Sequence, residues 1–438
     1  MNLLPSCIFL QVILLCIEKK HYICTMKTAI IGAGAAGCFC ATILKRFLPE
    51  AQIDIYESGS KPLQKVAITG GGRCNLTNNF TDVKSLNQIY PRGFNLMKRL
   101  FKCFDHQATM RWFEEEGVKL IIQDDHCVFP KSQDAMEIVS TLLRGMQGVR
   151  IYTRQRVKEI LPCDNHSYKI STDSRCEIYD NVVVTSGGSP KASGLDFLSE
   201  LALEIVPPVP SLFSFSISEK EDITPITELM GIVVKDTEIR LTGTKFKSEG
   251  PLLITHWGMS GPAILRLSSY AARWLAERNY EATLSINWLG GMIEENVRKM
   301  LQQQMDDNPK KQIGSIHPIT QRLWHYLLQK NRIEPERRCA DVSGKLLNKL
   351  VASLCNDIYH ICGQNRYKDE FVTCGGVSLS NIDPNTLECK KHRGIYFAGE
   401  VLDVDAVTGG FNLQAAWTMG YIVAHSIIQG QVTLLNPK

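Results

Sequence analysis

The 438-residue sequence has no low-complexity stretch, no internal repeat and no excess of one charge: 49 basic residues stand against 45 acidic ones, a formal net charge of +4. That balance gives no electrostatic reason for a nucleic-acid or membrane partner. The 15 cysteines contain no C-x-x-C pair, so the common zinc and dithiol signatures are missing and a reducing cytoplasm is the expected setting, with no metal. Cys38 and Cys40 read as small packing residues on a helix. Long hydrophobic runs are lacking too. Residues 8–17 are apolar but too short to span a bilayer, no Lys or Arg precedes them, and no small-residue cleavage site follows. Residues 1–25 are therefore expected to be a tail or an over-extended start. With 44% hydrophobic and 21% charged residues the remainder reads as globular, and its length asks for two or three packed units.

What is present begins with a strand, a tight turn, a helix and a second strand over 27–31, 35–47 and 52–56, a β-α-β unit that starts a parallel sheet. Residues 68–79 read as a loop rich in Gly, Asn and Thr, 107–116 as a helix ended by Gly117, and Ser132 as a helix N-cap. Residues 181–185 form a buried-type strand running into Ser186-Gly187-Gly188. From Pro207 the texture changes to short strands (212–217, 232–234, 238–241, 252–255), which predict a barrel-like β domain. Ser260 is the expected N-cap of a helix over 261–277, with Pro262 in its first turn. Residues 291–356 read mainly helical, 358–362, 371–374 and 394–398 return to strand, and 413–429 is the last helix. The resulting map is 26–206 for the first part of a dinucleotide domain, 207–290 for the barrel-like insert, 291–356 for a helical appendage, and 357–438 for the barrel return and the rest of the dinucleotide domain.

Chemistry concentrates in the glycines. In Gly32-Ala33-Gly34-Ala35-Ala36-Gly37, Gly32 permits the tight turn, Gly34 lets a pyrophosphate approach the backbone, and Gly37 lets helix and strand pack closely. Glu57, at the end of the second strand, can accept hydrogen bonds from an adenosine ribose and disfavours a 2′-phosphate, so the dinucleotide is FAD or NAD. Far downstream, Gly394-Ile395-Tyr396-Phe397-Ala398-Gly399-Glu400 is an apolar strand ending in a glycine and an acid, a return that a domain binding NAD alone does not need. Thr408-Gly409-Gly410-Phe411-Asn412-Leu413 then turns into a helix whose N-terminus can face a flavin pyrimidine.

These residues, with Lys65 through Asn75, Val128-Phe129-Pro130, Thr255-His256-Trp257-Gly258-Met259-Ser260-Gly261-Pro262 and the run from Ala398 to Asp405, make the chain resemble aminoacetone-oxidase-like FAD-binding flavoproteins, related by name to bile-acid-intermediate reductases. The resemblance covers residues 26–430. It implies an α/β fold: a discontinuous FAD domain of the two-dinucleotide-binding-domain type, built on a Rossmann-like parallel sheet, with an inserted β-barrel and a helical domain. It implies non-covalent FAD held by Gly32, Gly34, Ala36, Gly37, Glu57, Lys65, Gly71, Gly72, Arg73, Cys74, Asn75, Val157, Gly187, Gly188, Gly399, Glu400, Gly410, Asn412 and Leu413. Within that set Arg73 is a phosphate partner or a surface ion pair, Cys74 a packing residue beside the flavin, and Val157 a backbone contact to adenine from a strand. His256 is a catalytic acid–base candidate or a structural histidine, and Asp403 and Asp405 fall near the flavin by sequence position, with capping and turn formation as the alternative. The expected activity is an FAD-dependent oxidoreductase acting on a small organic substrate by hydride transfer. Two alternatives stay open: an NAD(P)H-dependent reductase of enone or ring double bonds, and a non-catalytic flavin-bound protein that interacts with RNA or regulates.

Overall fold

A computed structural model describes residues 26–189, 191–218, 225–365 and 372–435. The expected tail, and Phe371 of the 371–374 strand, lie outside the described residues. Two compact units emerge, Met1–Val209 with Val372–Lys438, and Pro210–Phe371.

In the first unit the short β-branched runs form strands and the Ala-rich run between them a helix: Lys27–Ile31 (β1), Ala35–Phe47 (α1) and Gln52–Tyr56 (β2). After them come the kinked helix Gln64–Gly72 (α2), then Arg150–Tyr152 (β3), Asn181–Val184 (β4), Ile395–Phe397 (β5) and the long helix Phe411–Leu435 (α3). The five strands are parallel, in the order β5-β4-β1-β2-β3. All four residues of β4 are buried, as a strand covered on both faces requires. The chain runs outward from β1 through β2 to β3 and then returns to β4 beside β1. That reversal opens a crevice at the carboxyl ends of β1 and β4, the place where open α/β sheets receive ligands. The last helix crosses the first closely: a Cβ on Gly420 would lie 2.6 Å from the Ala36 carbonyl oxygen.

The expected cap at Ser132 is displaced. Asp134 caps the helix Ala135–Gly145, accepting from the Met136 N–H at 2.8 Å, because its carboxylate sits at the residue that reaches the second helical N–H. Ser132 instead accepts from the Asp134 N–H at 3.3 Å.

The second unit is a closed barrel of six strands, neighbours in the order Ser214–Ser218, Gly258–Ser260, Lys247–Thr255, Val233–Leu241, Glu281–Asn287 and Asp357–Asn365. The pieces expected at 232–234 and 238–241 are one strand whose register shifts between Val234 and Thr237; exposed Lys235 and Asp236 fall in this bulge and break the alternation. Ser260 ends a strand, its hydroxyl 2.7 Å from that of Ser214, and Gly261 precedes the helix Pro262–Tyr270. The helices Glu294–Asp307, Gln321–Lys330 and Gly344–Cys355 put Val297, Leu301, Trp324 and Leu350 into one core with the barrel residues Phe215, Ile239 and Ile286. Among the described residues no helix is long and apolar enough to cross a membrane, and no group of three His, Cys, Asp or Glu could hold a metal ion.

Candidate functional site

The three glycines after β1 differ in what surrounds them. Gly32 has φ +106°, and a Cβ there would lie 2.4 Å from the Thr185 carbonyl oxygen. Gly37, inside the first turn of α1, is closed off by the Gly32 carbonyl oxygen at 2.2 Å and the Thr185 hydroxyl at 2.5 Å. These two serve backbone geometry and helix–strand packing. Gly34 serves neither: its φ is −85°, and its Cβ direction meets no protein atom within 4 Å. It stands at the N-terminus of α1, where amides without helical acceptors and the helix dipole favour an anion. Ala36, in the first turn of the helix, is buried.

Glu57 follows β2, and its carboxylate accepts from the Ala33 N–H at 2.8 Å and the Gly59 N–H at 2.6 Å. Those bonds fix it beside the glycine turn. Its own carbonyl accepts from the Gln155 N–H at 2.8 Å, which draws the 154–157 segment to the same rim. Val157 is buried in the connection before the strand Glu159–Pro162 rather than in a strand; the side chain of Gln155 holds this connection through Thr172, 2.8 Å away.

The 68–79 segment opens as the end of α2, not as a loop. Helical geometry fails at Thr69, and Gly70, Gly71 and Gly72 have φ of +59°, +69° and +82°. No protein atom lies within 4 Å of a Cβ built on Gly71 or Gly72. Arg73 is exposed; its guanidinium stands 4.5 Å from the Phe129 ring centre and donates to the Gly70 carbonyl at 3.1 Å. Among the described residues no carboxylate pairs with it. Cys74 is fully buried at φ +61°, and burial pushes its thiol up to about 12. A thiol so held stays protonated and is not a thiolate nucleophile. Asn75 donates to the Cys127 sulfur at 3.2 Å.

The chain's return meets these parts. A Cβ on Gly399 would lie 3.2 Å from that of Ala36, and one on Gly410 would lie 2.5 Å from the Thr77 carbonyl oxygen and 2.7 Å from Asn75 Oδ1. Glu400 accepts from the Thr373 N–H at 2.7 Å, and Lys65 reaches it at 3.9 Å. Gly188 packs against both Thr373 and Glu400, whereas Gly187, at φ +76°, has open space on its Cβ side. Asn412 clamps Ala406, taking its N–H and donating to its carbonyl, each at 2.9 Å; Leu413, half-buried, follows in the first turn of α3. All the sequence-derived cofactor residues thus belong to the first unit. His256 belongs to the second, exposed in the turn between two barrel strands with its ring against Trp257. Two contributors carried no local sequence signal. Thr185, just after the neighbouring strand β4, bonds the carbonyls of Ile31 and Gly32 across 154 and 153 positions, and Thr373 reaches Glu400 across 27.

An open parallel sheet with a glycine turn at its switch point, an acid after the second strand and a returning C-terminal strand define a Rossmann-type flavoprotein. The chain belongs to the HI0933-like family of FAD-binding Rossmann oxidoreductases, whose model, described as the HI0933-like protein Rossmann domain, matches residues 26–426. A 3-dehydro-bile acid delta(4,6)-reductase of Clostridium scindens is 27% identical to it over 414 residues, covering 91% of this chain and 98% of that protein. A ribosomal RNA dihydrouridine synthase of Haemophilus influenzae is 29% identical over 424 residues, 92% of this chain and 98% of that protein. Its namesake from Escherichia coli is 27% identical over 420 residues, 91% and 97% of the two chains.

Proposed function

We propose that the chain holds FAD non-covalently in the crevice between β1 and β4 and saturates a ring carbon–carbon double bond conjugated to a carbonyl, with NAD(P)H as the transient electron donor. Gly34 carries the cofactor part: neither φ nor packing asks for glycine there, and a pyrophosphate at the helix N-terminus does. The α1 amides around Ala36 and Gly37 bind that pyrophosphate, Glu57 takes the ribose hydroxyls, and the backbone at Val157 lines the adenine. Gly187, Gly188, Gly399 and Glu400 border the ribityl chain, with Lys65 and Arg73 supplying positive charge on the phosphate side. The bare faces of Gly71 and Gly72 admit the ring system, Cys74 and Asn75 pack beside it, and Gly410, Asn412 and Leu413 bring the N-terminus of α3 to its pyrimidine edge. When bound, FAD supplies a two-electron carrier between a nicotinamide and an activated alkene.

The reaction class is supported by the relatives, because a delta(4,6)-reductase and a dihydrouridine synthase both name the saturation of a ring double bond. The even charge balance favours a small cyclic enone over a polyanion as substrate. The described cysteines are all free thiols, which supports a reducing, cytoplasmic setting. The test is anaerobic. The yellow protein is mixed with NADH or NADPH and its flavin band is followed, then a 3-oxo-4-ene steroid or a uridine-containing ribosomal RNA is added. The expected result is bleaching by the nicotinamide and recovery with the steroid, whose product gains two hydrogens. Recovery with RNA alone would replace the substrate class; a protein without FAD, or one that neither substrate reoxidises, would refute the reading.

A further inference from the structure

The loop that leads from β5 into α3 is held by a segment that no motif marked. Asp405 is fully buried, and Arg92 pairs with it through two bonds, one of 2.5 Å from Nε and one from Nη2. The guanidinium side chain is itself only 12% exposed. Around this pair the same segment makes further ties. The Val407 N–H donates to the Ile89 carbonyl at 2.9 Å, and the buried Tyr90 hydroxyl donates to the Phe411 carbonyl at 2.9 Å. The Cβ space of Gly93 is filled by Val404, 2.6 Å away. Residues 89–93 therefore touch the loop at Val404, Asp405 and Val407 and the helix at its first residue.

Removing two charges from water is costly, and a buried pair on that account adds little to stability; what it fixes well is geometry. The geometry at stake is that of a helix end. Gly409 and Gly410, at φ +127° and +85°, give the loop backbone freedom but no rigidity of their own. Asn412 binds the loop to the helix as one body, and Gly410 presses that body against Thr77 and Asn75. The field of a helix terminus falls off within one turn, so a small displacement of this body changes what a neighbouring ring feels.

We propose that residues 89–93 are a positioning clip, closed by the Arg92–Asp405 pair, that sets how strongly the N-terminus of α3 stabilises negative charge on the flavin pyrimidine. The inference rests on the FAD reading above. Arg92 and Tyr90 act through the helix and need not touch the cofactor.

The test is the redox equilibrium between protein-bound flavin and a reference dye, measured on the FAD-loaded fraction of wild type, Arg92→Met, Arg92→Lys and Tyr90→Phe. Arg92→Met is expected to shift the equilibrium about tenfold toward oxidised flavin, the size of a partly buried helix-end effect. Tyr90→Phe, which removes one bond and no charge, should shift it about threefold in the same direction, and Arg92→Lys should stay nearest wild type. The neutral Tyr90→Phe change separates positioning from the direct field of a lost guanidinium, and decides the matter if Arg92→Met does not fold. Equilibria within twofold of wild type in the loaded variants would overturn the clip while leaving the FAD reading intact. A wild-type protein that binds no FAD would sink both.

Discussion

Each unit buries a carboxylate among aromatics, and the two do it in different places. In the sheet unit Asp54 on β2 takes Arg150 on β3 at 2.6 and 2.7 Å and the Tyr179 hydroxyl at 2.8 Å, with Arg150 half exposed at the rim. In the barrel unit Asp357 opens the last strand and takes Lys330 at 2.7 Å, the Trp288 indole at 3.0 Å and the Tyr359 hydroxyl at 2.6 Å. Lys330 ends a helix, so this second cluster ties helix to barrel, and burial still raises the Asp357 carboxyl above its ordinary range. A closed barrel spends its inward side chains on its core; an open sheet staples strands at its edge and leaves strand ends and amides free at the centre. Ligand chemistry belongs to the second arrangement.

Gly34→Val breaks that contrast hardest. It should lower FAD retention by at least about a hundredfold, some 2.7 kcal/mol, while the melting transition stays cooperative; a folded variant as yellow as wild type would move the site elsewhere. Lys330→Met should act on the other unit, leaving Asp357 buried without its cation at a cost of about 3 kcal/mol of stability, with flavin content unchanged. The sign with pH is fixed: a carboxyl raised in the fold favours folding below its unfolded value and loses that advantage as pH climbs through the folded one. Denaturant titrations of this variant should therefore show a deficit that shrinks on acidification, and a constant deficit would mean that Asp357 is not the cause.

The smallest effect sharpens the comparison from the sheet side. His425 on α3 packs against Phe47 and Tyr421, and burial depresses it to about 4. The unfolded chain then binds the proton first, so the sheet unit loses stability as pH falls from about 6.5 toward 4 and is unaffected above that window. Between pH 7 and 5 the loss should be about 1–2 kcal/mol, and His425→Leu should flatten it. An unaltered acid slope in that variant would assign the lability to other groups.

Glycine and β-branched runs made the β-α-β unit legible to the residue, because Gly32, Gly34 and Gly37 constrain local backbone and each can be judged within a few positions. The Gly70–Gly72 turn was legible as unusual backbone, but not the helix leading into it, since glycines weigh against helix in any local reading. Caps at Ser132 and Ser260 were misplaced by one or two residues because Asp134 and Gly261 compete for the same ends. The broken strand at Val234 reads as two because a bulge exposes two consecutive polar residues. Arg92 and Tyr90 were invisible for a different reason: their partners lie 313 and 321 positions away, and no spacing rule reaches that far.

The close crossing of Gly420 over Ala36 also has a bearing on synthesis. The barrel unit is one unbroken stretch of chain, so a ribosome can release it as a foldable piece while translation continues. The sheet unit must wait: β5 and the helix that covers α1 emerge only after the barrel, and until then the crevice edge and the apolar face of α1 stand uncovered. For that interval the nascent chain is a barrel preceded by a half-built cofactor domain, and the helix that follows β5 is the step that covers α1.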